Sequence, residues 1–518
     1  MVRFLTTLGV ITCIAGLAAC GSSTQTSAVS ISNTPGTVIV DPPLRIASLD
    51  APTFAQELGA TTSGAQLLQL AGTPACGVDF YYLQYQTSGG AGEIATATGA
   101  LMVPTGAAPA CSGPRPIVLY AHGTTTEKTY NIADITNTAN AEGAMVAAVF
   151  AAQGYIVVAP NYAGYDTSSL PYHPYLNAQQ QSSEMRHALQ AARTALPNTF
   201  AKATTDSGKL FLTGYSEGGY VAMATLRALQ ASGETVTASV PMSGPYALEA
   251  FADAIFYGKV NLGSTVFAPL VVSSYQNAYK NLYNTPADVF SATYATGIDT
   301  LLPGPSIAEL FSTGKLPQTA LFSSTPPVTG NAALDAALAP STDPLFSLGF
   351  GDPYLVNNDY RLSYVLDAAA DPDGVVPTMR AGLPLAAEPQ QPLRHAVWTN
   401  DLRNGNWAPG SPMLMCGGAK DPTVFFGLNT GTMQAFWAAL PAGLISALDV
   451  NGTPTPGDPF APIQGAFQQS QDQELAYLQT PAGGGLTPEQ AEAILVQNYH
   501  AAVAPFCTVA ARGFFAAF

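Results

Sequence analysis

Residues 210–226 read LFLTGYSEGGYVAMATL. The segment begins as an apolar run, turns through glycines around one serine, Ser216, and resumes with the spacing of a helix. A strand that turns sharply into a helix exposes the residue at the turn, and Gly214, Gly218 and Gly219 leave room for the two elements to close on each other. A serine hydroxyl is a weak nucleophile until a base takes its proton, and it must stand where a carbonyl can approach. The turn supplies that exposure, and the backbone N–H of Glu217, at the helix start, would point at an oxyanion. A tight turn with no chemistry is the alternative reading of the same residues.

Short apolar runs recur on both sides of this segment. RPIVLYAHGTTT (115–126) and GYIVVAPNYAGYD (154–166) precede it, each a buried-strand pattern with a polar ending. TASVPMSGPY (237–246) and SPMLMCGGAKDP (411–422) come after it. Between them, Met185, Ala188, Leu189, Ala192 and Leu196 recur at helical spacing and give one apolar face. Strands alternating with helices predict a mostly parallel sheet covered on both faces, entered through antiparallel strands in residues 75–104. The alternation stops between residues 247 and 410, where short helical patches separated by prolines predict an inserted, mainly helical cap. A second oxyanion donor is expected from the AHGTTT loop, where Gly123 permits close approach, Thr124 offers its N–H and His122 orients the loop.

These residues resemble the α/β-hydrolase fold, and within it bacterial relatives of the secretory lipase and esterase group. The matching pieces are the HGT loop, the GYSEGG elbow, the insertion after MSGPY, and GGAKDPTVFFGLNT at 417–430. The resemblance implies a triad in the chain order Ser, Asp, His. Asp421, in a turn just beyond a late strand, fits the acid; Asp371 and Asp373 are rivals but lie in the insertion. The base must follow the acid, and His500 is the one histidine that does: His395 precedes it, His187 sits on an amphipathic helix and His173 in a proline-rich loop. His500 departs from the family pattern, because LISALDV (444–450), the candidate last strand, ends about fifty residues earlier. LTPEQAEAILVQN between them predicts a capped helix, with Thr487 as N-cap, Pro488 in the first turn and Gln490 completing a capping box.

The chain's 518 residues carry a net charge of −16 with only 18 Lys plus Arg, which leaves no basic stripe for nucleic acid. The N-terminus MVRFLTTLGVITCIAGLAAC has one basic residue, an apolar stretch and then Leu17-Ala18-Ala19-Cys20, which resembles a bacterial lipoprotein signal. Residues 1–19 are then a signal peptide, Cys20 the lipidated N-terminus, 20–45 a flexible tether, 46–246 and 411–518 the core, and 247–410 the cap. Location at the bacterial cell envelope, on a membrane surface through the Cys20 anchor, is the expectation. Four further cysteines in an exported chain predict two disulfides. Of three connectivities we favour Cys76–Cys111 and Cys416–Cys507, the latter tying the Asp421 strand to the His500 segment. No cysteine or histidine spacing suggests a metal, and no cofactor is implied.

The sequence therefore favours a serine carboxylic ester hydrolase working through an acyl-enzyme. A serine peptidase or other acyl hydrolase is the alternative on the same fold. A surface lipoprotein that uses the fold only for binding is the alternative of a different class.

Overall fold

The computed structural model describes residues 33–137, 141–405 and 407–518. The signal peptide and Cys20 lie outside the described residues. Nine strands form one sheet: β1 (Leu44–Leu49), β2 (Gly77–Ser88), β3 (Ile94–Thr105), β4 (Gly113–Ala121), β5 (Ile156–Pro160), β6 (Thr204–Tyr215), β7 (Ala238–Met242), β8 (Met413–Gly417) and β9 (Ile445–Asp449). Their spatial order is β1-β2-β3-β5-β4-β6-β7-β8-β9. The first three strands and the β3–β5 junction are antiparallel; every pairing from β5 to β9 is parallel. The central strands are apolar without alternation, Ile117–Ala121, Ile156–Ala159 and Met413–Cys416 being entirely buried, because helices cover both sides.

Eight helices position or support the site: α1 (Glu142–Val149), α2 (Ala178–Ala195), α3 (Glu217–Ala231), α4 (Leu248–Phe256), α5 (Ser264–Tyr279), α6 (Asn358–Ala370), α7 (Pro392–Asn400) and α8 (Pro488–Phe515). The pair α2 and α3 packs on one face of the sheet; α8, with α1 beside it, packs on the other. Thr487 caps α8 in a capping box with Gln490, and Pro488 opens its first turn. The helix then runs on through His500 to Phe515. Two disulfides are present, Cys76–Cys111 and Cys416–Cys507.

The tether ends earlier than its composition suggested. The N–H groups of Gly36 and Ile39 donate to the carbonyls of Gln86 and Gln84, and β1 begins at Leu44. Edge pairing uses backbone groups, and Val38, opposite Tyr85, packs partly buried against the core.

Residues 243–412 connect β7 to β8 and carry α4 to α7. Helix α4 has two faces with different tasks. Leu248, Phe251, Ala252, Ile255 and Phe256 recur at helical spacing and line a cavity. Glu249 and Asp253, one turn apart, point instead into a buried charge network. The Asp253 carboxylate accepts from Arg394 Nε and Nη2 of α7, both at 3.0 Å, and from Tyr364 of α6 at 2.9 Å. Glu249 Oε1 lies 3.0 Å from the same guanidinium. Nearby, Arg403 bridges Asp373 and Asp401, each at 2.8 Å, and Asp401 accepts the N–H of Glu249. Asp373 thus has a partner within the insertion, and Asp371 accepts the N–H groups of Ala387 and Glu388; neither rival approaches Ser216.

In this network carboxyls outnumber guanidiniums. Burial, reinforced by Asp373 and Asp253, raises Glu249 well above the usual carboxyl range, and burial pushes Asp253 up to about 6 against the pull of Arg394. Both groups hold protons more tightly folded than unfolded. Their contribution to stability is therefore present at low pH and lost as pH rises through the folded values. Glu249→Gln, which keeps the shape and removes the titration, should gain Tm relative to the parent as pH is raised from about 5 to about 8. Scanning calorimetry of the pair across that range checks the sign.

Candidate active site

The C-terminal ends of β4, β6 and β8 converge, as strands of a parallel sheet present their loops on one edge. β6 ends at Tyr215 and α3 starts at Glu217, leaving Ser216 between them at φ 60°, ψ −121°. That left-handed conformation is costly for a residue with a side chain and is held by its surroundings. A Cβ on Gly218 would lie 1.9 Å from the Ala121 carbonyl oxygen, and one on Gly214 would lie 2.4 Å from the Gly218 carbonyl oxygen. Glycine at these two positions is what lets strand β4, strand β6 and helix α3 meet. The Ser216 N–H donates to Met242 at the end of β7.

His500 Nε2 lies 2.8 Å from Ser216 Oγ, and its Nδ1 lies 2.6 Å from Asp421 Oδ2. The other oxygen of Asp421 accepts the N–H groups of Thr423 and Val424, closing the turn after β8. The aspartate is nearly fully buried, whereas the histidine side chain is 15% exposed. These three residues, 284 positions apart at the extremes, form one hydrogen-bonded line. His500 stands inside α8 and not on a loop. The Cys416–Cys507 bond fastens that helix to β8, and the Tyr215 hydroxyl donates to the His500 carbonyl, with the two rings 5.0 Å apart.

The Gly123–Thr124 loop reaches the elbow: a Cβ on Gly123 would lie 3.7 Å from Ser216 Cβ. His122 is fully buried, with Nδ1 2.6 Å from the Gly123 carbonyl and Nε2 3.1 Å from that of Asn161. Burial pulls its pKa down to about 4, against Glu217 and the two carbonyls, and the two contacts fix the ring beside the loop. Among the described residues neither the Thr124 N–H nor the Glu217 N–H donates a hydrogen bond.

The side-chain contacts that support the elbow had no signal in the sequence. Glu142, at the start of α1, accepts the Gly123 N–H at 3.1 Å and the Tyr120 hydroxyl at 2.7 Å. Burial raises its carboxyl to about 7, against those two hydrogen bonds. The Glu217 side chain turns away from the site and accepts from His173 Nε2 and Gln181 Nε2, both at 2.6 Å. His173 is thereby accounted for as an elbow support. His187 contacts Thr87 and His395 the Pro389 carbonyl, both apart from Ser216.

A cavity of about 920 Å³, counting its open mouth, begins at Ser216. Its walls are apolar, with Leu248, Phe251 and Ile255 from α4 facing Phe267 and Val271 from α5. Of the insertion's aromatics, Phe251, Phe256, Phe267 and Tyr360 line it, while the Tyr275 hydroxyl donates to Leu176 and that of Tyr279 accepts from Asn400. No group of His, Cys, Asp and Glu among the described residues could hold a metal ion.

This sheet, with its antiparallel entry and helices on both faces, has counterparts among solved structures. A ligand-bound form of the rice cell wall degrading esterase LipA from Xanthomonas oryzae superposes with a TM-score of 0.64, covering 93% of this chain and 98% of that one at 24% identity. The chain has the α/β-hydrolase fold. A point mutant of the same esterase gives 0.61 at 27% identity over 86% of this hydrolase and 99% of that chain. A putative hydrolase from Legionella pneumophila gives 0.57 at 19% identity, covering 80% and 91%. The prolyl oligopeptidase family matches residues 143–278, which span the elbow. No curated protein sequence matches significantly. Together these likenesses support a serine hydrolase. No helix among the described residues is long and apolar enough to cross a membrane.

The Cys416–Cys507 bond closes a span of 91 residues, for which the chain-entropy model gives about 4 to 5 kcal/mol of stabilisation. Replacing both cysteines by serine should lower the unfolding free energy by an amount of that order in urea titrations under oxidising conditions.

Proposed function

We propose that this protein is a serine carboxylic ester hydrolase whose triad is Ser216, His500 and Asp421. Ser216 Oγ attacks the ester carbonyl carbon while His500 Nε2 takes its proton. Asp421 holds the ring in the tautomer with hydrogen on Nδ1 and stabilises the imidazolium that forms. The N–H groups of Glu217 and Thr124 receive the oxyanion. Collapse breaks the ester C–O bond, and the alcohol leaves with the proton from Nε2. Water then repeats the sequence on the acyl-enzyme, releasing the acid and restoring Ser216. The observation that carries this reading is the unbroken line from Ser216 Oγ through His500 to the buried Asp421 at 2.8 and 2.6 Å.

The apolar cavity beside Ser216 supports an ester with an apolar acyl group, since its walls have few polar groups to pair with a peptide backbone. The likeness to an esterase at 27% identity points the same way. The prolyl oligopeptidase match favours a second reading, a serine peptidase. We take residues 247–410 as the cap that supplies most of the acyl wall, and Cys20 as the lipid anchor of an exported protein. The two disulfides support an oxidising compartment.

A fluorophosphonate probe should label the parent and not Ser216→Ala, and the variant's kcat on nitrophenyl esters should fall by at least about 10⁴-fold. Labelling of the variant equal to the parent's would remove Ser216 from the mechanism. Turnover of aminoacyl nitroanilides above that of nitrophenyl esters would favour the peptidase. Within the ester series, Ala252→Trp, which fills the cavity, should depress turnover of octanoyl esters far more than of acetyl esters.

A further inference from the structure

The proposed oxyanion donor Thr124 belongs to a loop whose position must be set by its neighbours, because no regular element continues past Ala121. Glu142 reaches that loop from the first residue of α1. Both of its carboxylate oxygens face the Gly123 N–H, at 3.1 and 3.3 Å, and Oε1 also accepts the Tyr120 hydroxyl at 2.7 Å. Gly123 lies between this carboxylate and the elbow. A Cβ built on it would stand 3.7 Å from Glu142 Oε2 and 3.7 Å from Ser216 Cβ. On the next peptide along, the Gly123 carbonyl faces His122 Nδ1 at 2.6 Å, the shorter of that ring's two contacts. The carbonyl and N–H of a trans peptide point in opposite directions, so holding the Gly123 carbonyl toward His122 aims the Thr124 N–H the other way. The Thr124 hydroxyl is held in turn at 2.9 Å from the Tyr175 hydroxyl.

We propose that Glu142 is a positioning residue for ester hydrolysis, its carboxylate anchoring the Gly123 N–H so that the Thr124 N–H meets the oxyanion. This rests on the reading of Ser216 as the nucleophile. Glu142 touches neither substrate nor reacting atoms in this role. Without its acceptor, the Gly123 N–H and the Tyr120 hydroxyl lose their partner, and the loop rotates to recover one. An oxyanion donor contributes chiefly in the transition state, so a misaimed Thr124 N–H lowers kcat and leaves KM nearly unchanged. A residue that only stabilised the fold would lower Tm and the amount of active enzyme without that split, and without weakening a transition-state analogue.

The test compares the parent, Ser216→Ala, Glu142→Ala, Glu142→Gln and Glu142→Asp in the mature protein, with nitrophenyl butyrate as substrate and a boronic acid as the tetrahedral analogue. Glu142→Ala should lose about 10- to 100-fold in kcat with KM within about threefold, and boronate affinity should fall in parallel with kcat/KM. Glu142→Gln, whose amide oxygen still accepts the Gly123 N–H, should stay within about fivefold of the parent. Glu142→Asp, one methylene too short, should fall toward the alanine variant, and it replaces that variant if alanine prevents folding. Parental kcat in the alanine or aspartate variant, or equal losses in the glutamine and alanine variants, overturns the positioning role. A parent that hydrolyses no ester overturns the Ser216 reading and this one with it. An active parent and an inert Ser216→Ala beside an unaffected Glu142→Ala overturns only the role of Glu142.

Discussion

The backbone of the elbow approaches that of β4 so closely that a methyl group on Gly218 would sit 1.9 Å from the Ala121 carbonyl oxygen. Every other part of the site is arranged around this contact. It brings α3 onto the end of β4, which sets the Gly123–Thr124 loop beside Ser216. It also holds Ser216 in a left-handed conformation that an unconstrained serine would leave. The buried Glu217–His173–Gln181 contacts support the same turn from below, so the first residue of α3 uses its side chain to fasten the helix behind the elbow.

The histidine is presented differently from a loop residue. A helix interior restricts a side chain to few rotamers, so an imidazole on α8 reaches Ser216 only if the whole helix has the right height and rotation. Three fastenings set that position: the Cys416–Cys507 bond, the Tyr215 hydroxyl on the His500 carbonyl, and the Asp421 carboxylate on Nδ1. Helix α4 shows a comparable economy. Its apolar face walls the cavity that opens at Ser216, while Glu249 and Asp253 bind its other face to α7 through Arg394. The shape of the cavity is thus tied to a buried charge network, where removing one partner costs far more than the pair adds.

Much of this was legible along the chain. The uniform apolar runs announced strands covered on both faces, since a parallel sheet buries its strands entirely. The glycines around Ser216 announced a close approach, and the order of Ser216, Asp421 and His500 matched the family resemblance. The capping residues Thr487, Pro488 and Gln490 marked the start of α8 because capping is a local interaction between residues three apart. The end of α8 was less legible: Pro505 lies inside it, and tertiary packing with a disulfide carries the helix past a residue that disfavours it. The edge pairing of Gly36 and Ile39 was hidden for a related reason, being made by backbone atoms that composition does not report.

By itself the sequence determined the element pattern, the elbow and the residue types able to do acyl chemistry, because strand burial, turns and caps are dictated by neighbours in the chain. Only the tertiary structure decided which partners those residues have. Glu142 contacts Gly123 across 19 positions and His500 contacts Ser216 across 284. Such contacts depend on how elements distant in sequence pack, and a hydrogen bond between them leaves no periodic or local trace in either segment.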